Sequence, residues 1–171
     1  MILEGTAWCF GDDVNTDVIL PGKYLKLTSE QGAAHVMEGI DPTFAGRVQA
    51  GDIVVGGANF GCGSSRESAP GALKYAGVTA VVAVSFARIF YRNSINLGLP
   101  VLVCAEARRI TPGSRIVVDV QGGEIRIPAT GERLAADALS GHMLELLLAG
   151  GLLPFLERRF QERQKTGGAP S

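Results

Sequence analysis

Short apolar runs separated by glycine-rich punctuation organise the first hundred positions. Residues 52–56 (Asp-Ile-Val-Val-Gly) and 79–84 (Thr-Ala-Val-Val-Ala-Val) are apolar almost throughout. That is the pattern of strands covered on both faces. Residues 100–103 repeat it. Between these runs, residues 70–76 predict a short helix closed by Gly77, and residues 85–93 a second helix with Ser85 as candidate N-cap. Strand, helix, strand, helix, strand at this rhythm predicts parallel crossover units.

The flanks read differently. Thr6, Trp8 and Phe10 alternate with smaller residues and predict a strand ending at Gly11-Asp12-Asp13. Residues 17–20 predict a short second strand, stopped by Pro21-Gly22. Residues 29–39 predict a helix, with Ala33, Ala34, Val36 and Met37 at helical spacing and Gly39 as its stop. Pro42 predicts another helical turn. Residues 115–120 and 124–127 alternate around Gly122-Gly123, a β-hairpin signal. Residues 140–149 predict a leucine-rich helix ended by Gly150-Gly151, and residues 154–165 a charged peripheral one. No repeat or interdomain linker is visible. The expectation is one mixed α/β domain over residues 1–165, with parallel and antiparallel strands, and a flexible tail over 166–171.

Composition narrows the classes. The 171 residues carry 16 Lys+Arg against 17 Asp+Glu, a net charge of −1. A dedicated nucleic-acid binder normally shows a basic excess. Mean hydropathy is +0.20, so the chain is globular rather than disordered. Glycine, at 23 residues, is about twice the usual ~7%. Since glycine costs backbone entropy, so many of them point to tight turns and close backbone approaches. Cys9, Cys62 and Cys104 form no CxxC pair, and His35 and His142 are the only histidines. A disulfide framework and a self-contained metal centre are both disfavoured. The N-terminus lacks a basic flank with a long apolar run. A reducing, cytoplasmic setting is the expectation.

Candidate chemistry concentrates in Gly57-Ala-Asn-Phe-Gly-Cys-Gly-Ser-Ser-Arg-Glu67. A strand before it and a helix after it set this loop at a strand's carboxyl end, where open α/β sheets bind ligands. Its glycines let backbone N–H groups approach an anion. Ser64 and Ser65 add hydroxyls, and Arg66 adds a planar fork that matches a carboxylate. No lysine stands where a P-loop requires one, so a carboxylate fits better than a nucleotide. The structural alternative is a capping box, Ser64-x-x-Glu67. Pro70 weighs against it, because it would then fall inside the helix. With Ser68 as N-cap, Pro70 sits in the first turn, and residues 64–67 stay in the loop.

Other polar features have plainer readings. The cluster Gly11-Asp-Asp-Val-Asn-Thr-Asp17 either lines a site or is a hydrogen-bonded turn. Cys62 has no histidine beside it and reads as a packed thiol. His35, on an apolar helix, reads as structural. Lys26 and Arg92 are surface charges by default.

Three stretches together carry a resemblance. They are Asn15-Thr-Asp-Val-Ile-Leu-Pro-Gly-Lys-Tyr-Leu25, Asn59-Phe-Gly-Cys-Gly-Ser-Ser-Arg-Glu67, and Ser85-Phe-Ala-Arg-Ile-Phe-Tyr-Arg-Asn93 with Asn96-Leu-Gly-Leu-Pro100. In this order they resemble the small subunits of 3-isopropylmalate dehydratase, a family that includes homoaconitase small subunits and corresponds to the swivelling domain of aconitase. The resemblance spans roughly residues 5 to 150. It implies a β/β/α swivelling domain and a hydro-lyase of leucine biosynthesis. It also implies a large partner subunit that carries a [4Fe-4S] cluster, with none bound by this chain. Carried over by position, Ser64 becomes the base that takes a proton from carbon, and Ser65 and Arg66 bind the substrate and help activate that base.

Those roles suit the chemistry. Dehydration beside a carboxylate removes a weakly acidic C–H proton, and a serine serves as base only where N–H donors and a guanidinium stabilise its alkoxide. Where the family usually has histidine after this stretch, the chain has Ser68. The turn after Tyr24-Leu25 varies with substrate in the family. A basic residue there resembles the arginine that holds a distal carboxylate in aconitase. Lys26 therefore pulls toward a tricarboxylic substrate such as homoaconitate, while Leu27 suits an alkyl group. Isopropylmalate stays first on whole-chain resemblance. A stand-alone anion-binding module is the non-enzymatic alternative.

Overall fold

The structure, a computed structural model, describes residues 1–166. The apolar runs become strands of one sheet: β1 (Ile2–Cys9), β2 (Ile53–Gly56), β3 (Ala80–Ala83), β4 (Val101–Val103), β5 (Arg115–Asp119), β6 (Glu124–Ile127) and β7 (Glu132–Ala135). Their order is β4-β3-β2-β1-β5-β6-β7. β1 is the pivot. Its second half runs parallel to β2, Ala7 opposite Ile53, and its first half runs antiparallel to β5, Ile2 opposite Asp119. β2, β3 and β4 continue in parallel, whereas β5, β6 and β7 continue antiparallel. This is the mixed α/β class that the patterning predicts. The parallel strands are buried at every position except Val103, as continuous Val, Ile and Ala runs require.

Asp52 fastens the entry to β2 onto the pivot strand. Only 7% exposed, its carboxylate accepts from the Trp8 indole at 2.9 Å, the Gln49 N–H at 2.9 Å and the Thr6 N–H at 3.3 Å. A buried carboxylate with three donors is satisfied rather than orphaned. Trp8 then packs edge-on against the buried Phe44 ring, 5.0 Å between centroids.

The helices are α1 (Thr16–Ile19), α2 (Ser29–Gly32), α3 (Phe44–Arg47), α4 (Ser68–Tyr75), α5 (Arg88–Asn96), α6 (Gly141–Ala149) and α7 (Leu152–Thr166). Several differ from the sequence expectation. Residues 17–20 lie in a helical turn, not a strand, because the Asn15 side chain accepts the Val18 N–H at 2.9 Å and starts a helix. The helix expected over 29–39 stops at Gly32. A 3-10 turn (Ala33–His35) follows, and Met37 takes φ +62, which no right-handed helix can hold. Ser85 does not cap α5, which begins three residues later after Ala87. Ser68 does not cap α4. It is the first helical residue, and Glu67 precedes it with no side-chain cap bond. Pro70 does fall in the first turn of α4, as expected. β7 escaped the sequence reading, because only Leu134 in it points inward.

Of the tail expected over 166–171, Thr166 ends α7 and the rest lies outside the described residues. Among the described residues, no helix is long and apolar enough to cross a membrane.

Candidate functional site

Residues 57–67 leave the carboxyl end of β2 beside the end of β3, and both neighbours clamp them. On one side, the Gly57 N–H donates to the Gly11 carbonyl, the Gly61 N–H to the Val14 carbonyl, and the Thr16 N–H to the Cys62 carbonyl, all within 2.8–3.0 Å. On the other, the Phe60 N–H donates to the Ser85 carbonyl and the Ala87 N–H to the Phe60 carbonyl. The Asn59 N–H donates to Ser85 Oγ at 2.8 Å, which is what Ser85 does in place of capping. Asn59, Gly61 and Gly63 all have positive φ. At Gly61 a second constraint demands glycine: any Cβ would collide with Phe90.

The polar cluster at 11–17 is therefore the frame of this loop. Asp12 accepts the Ala58 N–H at 2.7 Å and pairs with Arg108 at 2.8 Å. Arg108 first, then that N–H, hold the Asp12 carboxyl below its usual range. Asp13 accepts the Asn59 amide at 3.0 Å. Thr16, 1% exposed, donates its hydroxyl to the Ser64 carbonyl at 3.2 Å, and the Arg66 N–H donates to the same carbonyl at 2.8 Å.

Ser64 and Ser65 are thus exposed side chains on a fixed backbone. Neither hydroxyl has a partner among the described residues. Arg66 is half-buried. Its Nη1 meets Asp17 Oδ1 at 2.5 Å and the Leu20 carbonyl at 3.4 Å. Among the described residues only that nitrogen is engaged, which leaves Nη2 and Nε as available donors. Asp17 has no counterpart among the predicted site residues. The signal was the Asn15 cap, which turns residue 17 toward the loop instead of into a strand.

Ser64 lies in an open groove of about 900 Å³, walled also by Phe86, Arg88, Ile89, Tyr91 and Arg92 of the segment that starts α5. Arg92 is therefore not merely a remote surface charge. Lys26 is elsewhere: exposed, on the turn after Gly22–Tyr24, with no side-chain partner among the described residues. Arg66 links the two places, since a Cβ on Gly22 would lie 3.8 Å from its Nη2. The turn itself is anchored. Tyr24 stacks on His35 at 3.8 Å, its hydroxyl donates to Glu38 at 2.9 Å, and Lys23 and His35 each reach Glu38 at 3.1 Å. The Tyr24 hydroxyl and Lys23 hold the Glu38 carboxyl below its usual range. His35 is a packing residue, on a 3-10 turn and not on an apolar helix.

The cysteines stay apart as free thiols. Burial pushes the Cys9 thiol up to about 11 and raises Cys104 as well. Among the described residues, no group of three His, Cys, Asp or Glu could hold a metal ion. The described residues of this chain do not fit an iron–sulfur cluster.

The model of the aconitase C-terminal domain matches residues 16–107, which include the whole loop and, of its frame, Thr16 and Asp17. The chain is 50% identical over 165 residues to the isopropylmalate/citramalate isomerase small subunit of Methanocaldococcus jannaschii, covering 95% of this chain and 98% of that one. It is also 50% identical over 153 residues to the methanogen homoaconitase small subunit of Methanothermobacter thermautotrophicus, covering 89% of each. Among solved structures, the crystal structure of 3-isopropylmalate dehydratase from Methanocaldococcus jannaschii superposes with TM-score 0.93 at 45% identity, covering 97% of this chain and 99% of that one.

Proposed function

The chain belongs to the 3-isopropylmalate dehydratase small-subunit branch of the aconitase C-terminal domain family, and from that premise we propose that it works with a large subunit to interconvert 2- and 3-isopropylmalate in leucine biosynthesis. The observation that carries the reading at the level of the site is Ser64. Its backbone is fixed by Thr16 and Arg66, while its hydroxyl has no partner among the described residues and the residue lines an open groove.

The reaction is an elimination followed by a re-addition. A C–H proton leaves the carbon beside a carboxylate, hydroxide leaves the neighbouring carbon, and water returns with the two positions exchanged. In this reading Ser64 Oγ takes the proton. The Ser65 hydroxyl and the free edge of Arg66 bind a substrate carboxylate, a charge-assisted fork of the stronger kind. That guanidinium also stabilises the negative charge that develops as the proton departs. Asp17, together with the Leu20 carbonyl, sets its orientation by engaging only Nη1. Departure of hydroxide is left to the partner, to which we assign the [4Fe-4S] cluster, a Lewis acid when bound. We place the assembly in the cytoplasm.

Lys26 favours a second substrate. Exposed and with no side-chain partner among the described residues, it suits a third carboxylate, as in homoaconitate. The test is to co-express the chain with the large subunit of its organism, load iron and sulfide anaerobically, and assay 2-isopropylmalate, citramalate and homoaconitate in parallel. Isopropylmalate turnover that needs both chains supports the proposal. A loaded complex that leaves isopropylmalate untouched overturns it, and turnover of homoaconitate alone favours the second substrate.

A further inference from the structure

Resting on the reading that a large subunit closes over Ser64, we infer that Arg88, Ile89 and Arg92, exposed at the start of α5, form the seat of an acidic segment of that subunit. The groove beside Ser64 is about 900 Å³, much more than a small dicarboxylic acid fills. Protein from the partner must occupy the rest if water is to be kept from the serine.

The lining says what kind of protein. Arg66, Arg108, Arg109 and Arg115 each meet a carboxylate within this chain. Arg88 and Arg92 meet none among the described residues. They stand one helical turn apart, where like charges repel. Carboxylates from outside relieve that repulsion and complete both forks. Ile89 lies between them in sequence, 52% exposed and at the groove wall. An exposed apolar side chain flanked by arginines is the composition of an interface, in which an aliphatic anchor buries and arginine pairs around it. The substrate is the competing occupant, since a dicarboxylic acid keeps one carboxylate after Ser65 and Arg66 bind the other, and the substrate KM separates the two.

The test measures affinity of the full chain for its large subunit, by interferometry over a salt series, with substrate KM determined on the same complexes. Far-UV circular dichroism and Tm establish that each variant folds. In Arg88→Glu/Arg92→Glu, repulsion across the contact should weaken Kd at least ~tenfold and flatten its salt dependence. Ile89→Asp should weaken it further. Arg88→Lys/Arg92→Lys, which keeps the charges and loses the forks, should fall between wild type and the double Glu variant, and Arg158→Glu, an exposed reversal on α7, should retain full affinity. A Kd for the double Glu variant within twofold of wild type overturns the inference and leaves the proposed function standing. An unchanged Kd with a raised KM overturns it too, by assigning the arginines to substrate. A wild-type chain that binds no large subunit overturns both.

Discussion

The buried hydroxyl of Thr16 donates to the carbonyl of Ser64 at 3.2 Å, so a residue read as part of a turn holds the backbone of the proposed base. Thr16→Val keeps the shape and deletes the donor. A net hydrogen bond is worth about 1 kcal/mol, so the variant should lose about that much stability in urea denaturation. It should also lower kcat in the assembled enzyme with little change in KM. Stability and kcat both equal to wild type would mean that the Arg66 N–H anchors the carbonyl alone.

Gly61→Ala probes the loop from the opposite face. The position has φ +79, and a methyl there runs into the Phe90 ring. The clash adds to the left-handed strain. The expected loss is about 2 kcal/mol or more, seen as a lowered Tm or loss of soluble protein. A Tm within one or two degrees of wild type would show that the loop has slack that its hydrogen bonds do not suggest.

The Asp12 clamp gives the loop an acid limit. Arg108 and the Ala58 N–H stabilise the ionised carboxylate, so its folded pKa lies below the unfolded one. Its contribution is complete above the unfolded carboxylate pKa of ~3.9 and fades as pH falls through the folded value. Protection of the Ala58 amide from exchange should therefore hold at neutral pH and drop in acid, whereas Asp12→Asn should remove much of that dependence. Equal pH profiles for the two proteins would dismiss the clamp.

How much of this was legible beforehand depended on where the information lay. The parallel wing was readable because 52–56, 79–84 and 100–103 are apolar at consecutive positions, a signal that needs no partner. The serine loop was readable from its glycines and from Pro70, which weighs against the capping box. The frame was not. Val18, Ile19 and Leu20 look like a strand, and only the Asn15 cap turns them helical, bringing Thr16 under Ser64 and Asp17 onto Arg66. Those contacts span some fifty positions in sequence, beyond any local periodicity. The groove was hidden likewise: Arg92 and Ser64 share it only because β2 and β3 are parallel neighbours.

Lys26 decides substrate preference, if it holds a distal carboxylate. A charge-assisted hydrogen bond contributes roughly 1.5–3 kcal/mol, about ten- to a hundredfold in relative kcat/KM. Lys26→Val should penalise homoaconitate by that factor over isopropylmalate. An unchanged ratio would leave Lys26 as a solvent-facing charge on the Tyr24–Glu38 turn.

The central claim is that this chain delivers the base. The direct measurement is steady-state turnover of 2-isopropylmalate by the iron-loaded complex containing Ser64→Ala, with equal large-subunit affinity and equal Tm verified first. The side chain has no partner among the described residues, so folding and assembly should be intact. If Ser64 is the base, kcat falls ~10²–10⁴-fold, the range of a lost general base. A kcat within a few-fold of wild type would contradict it.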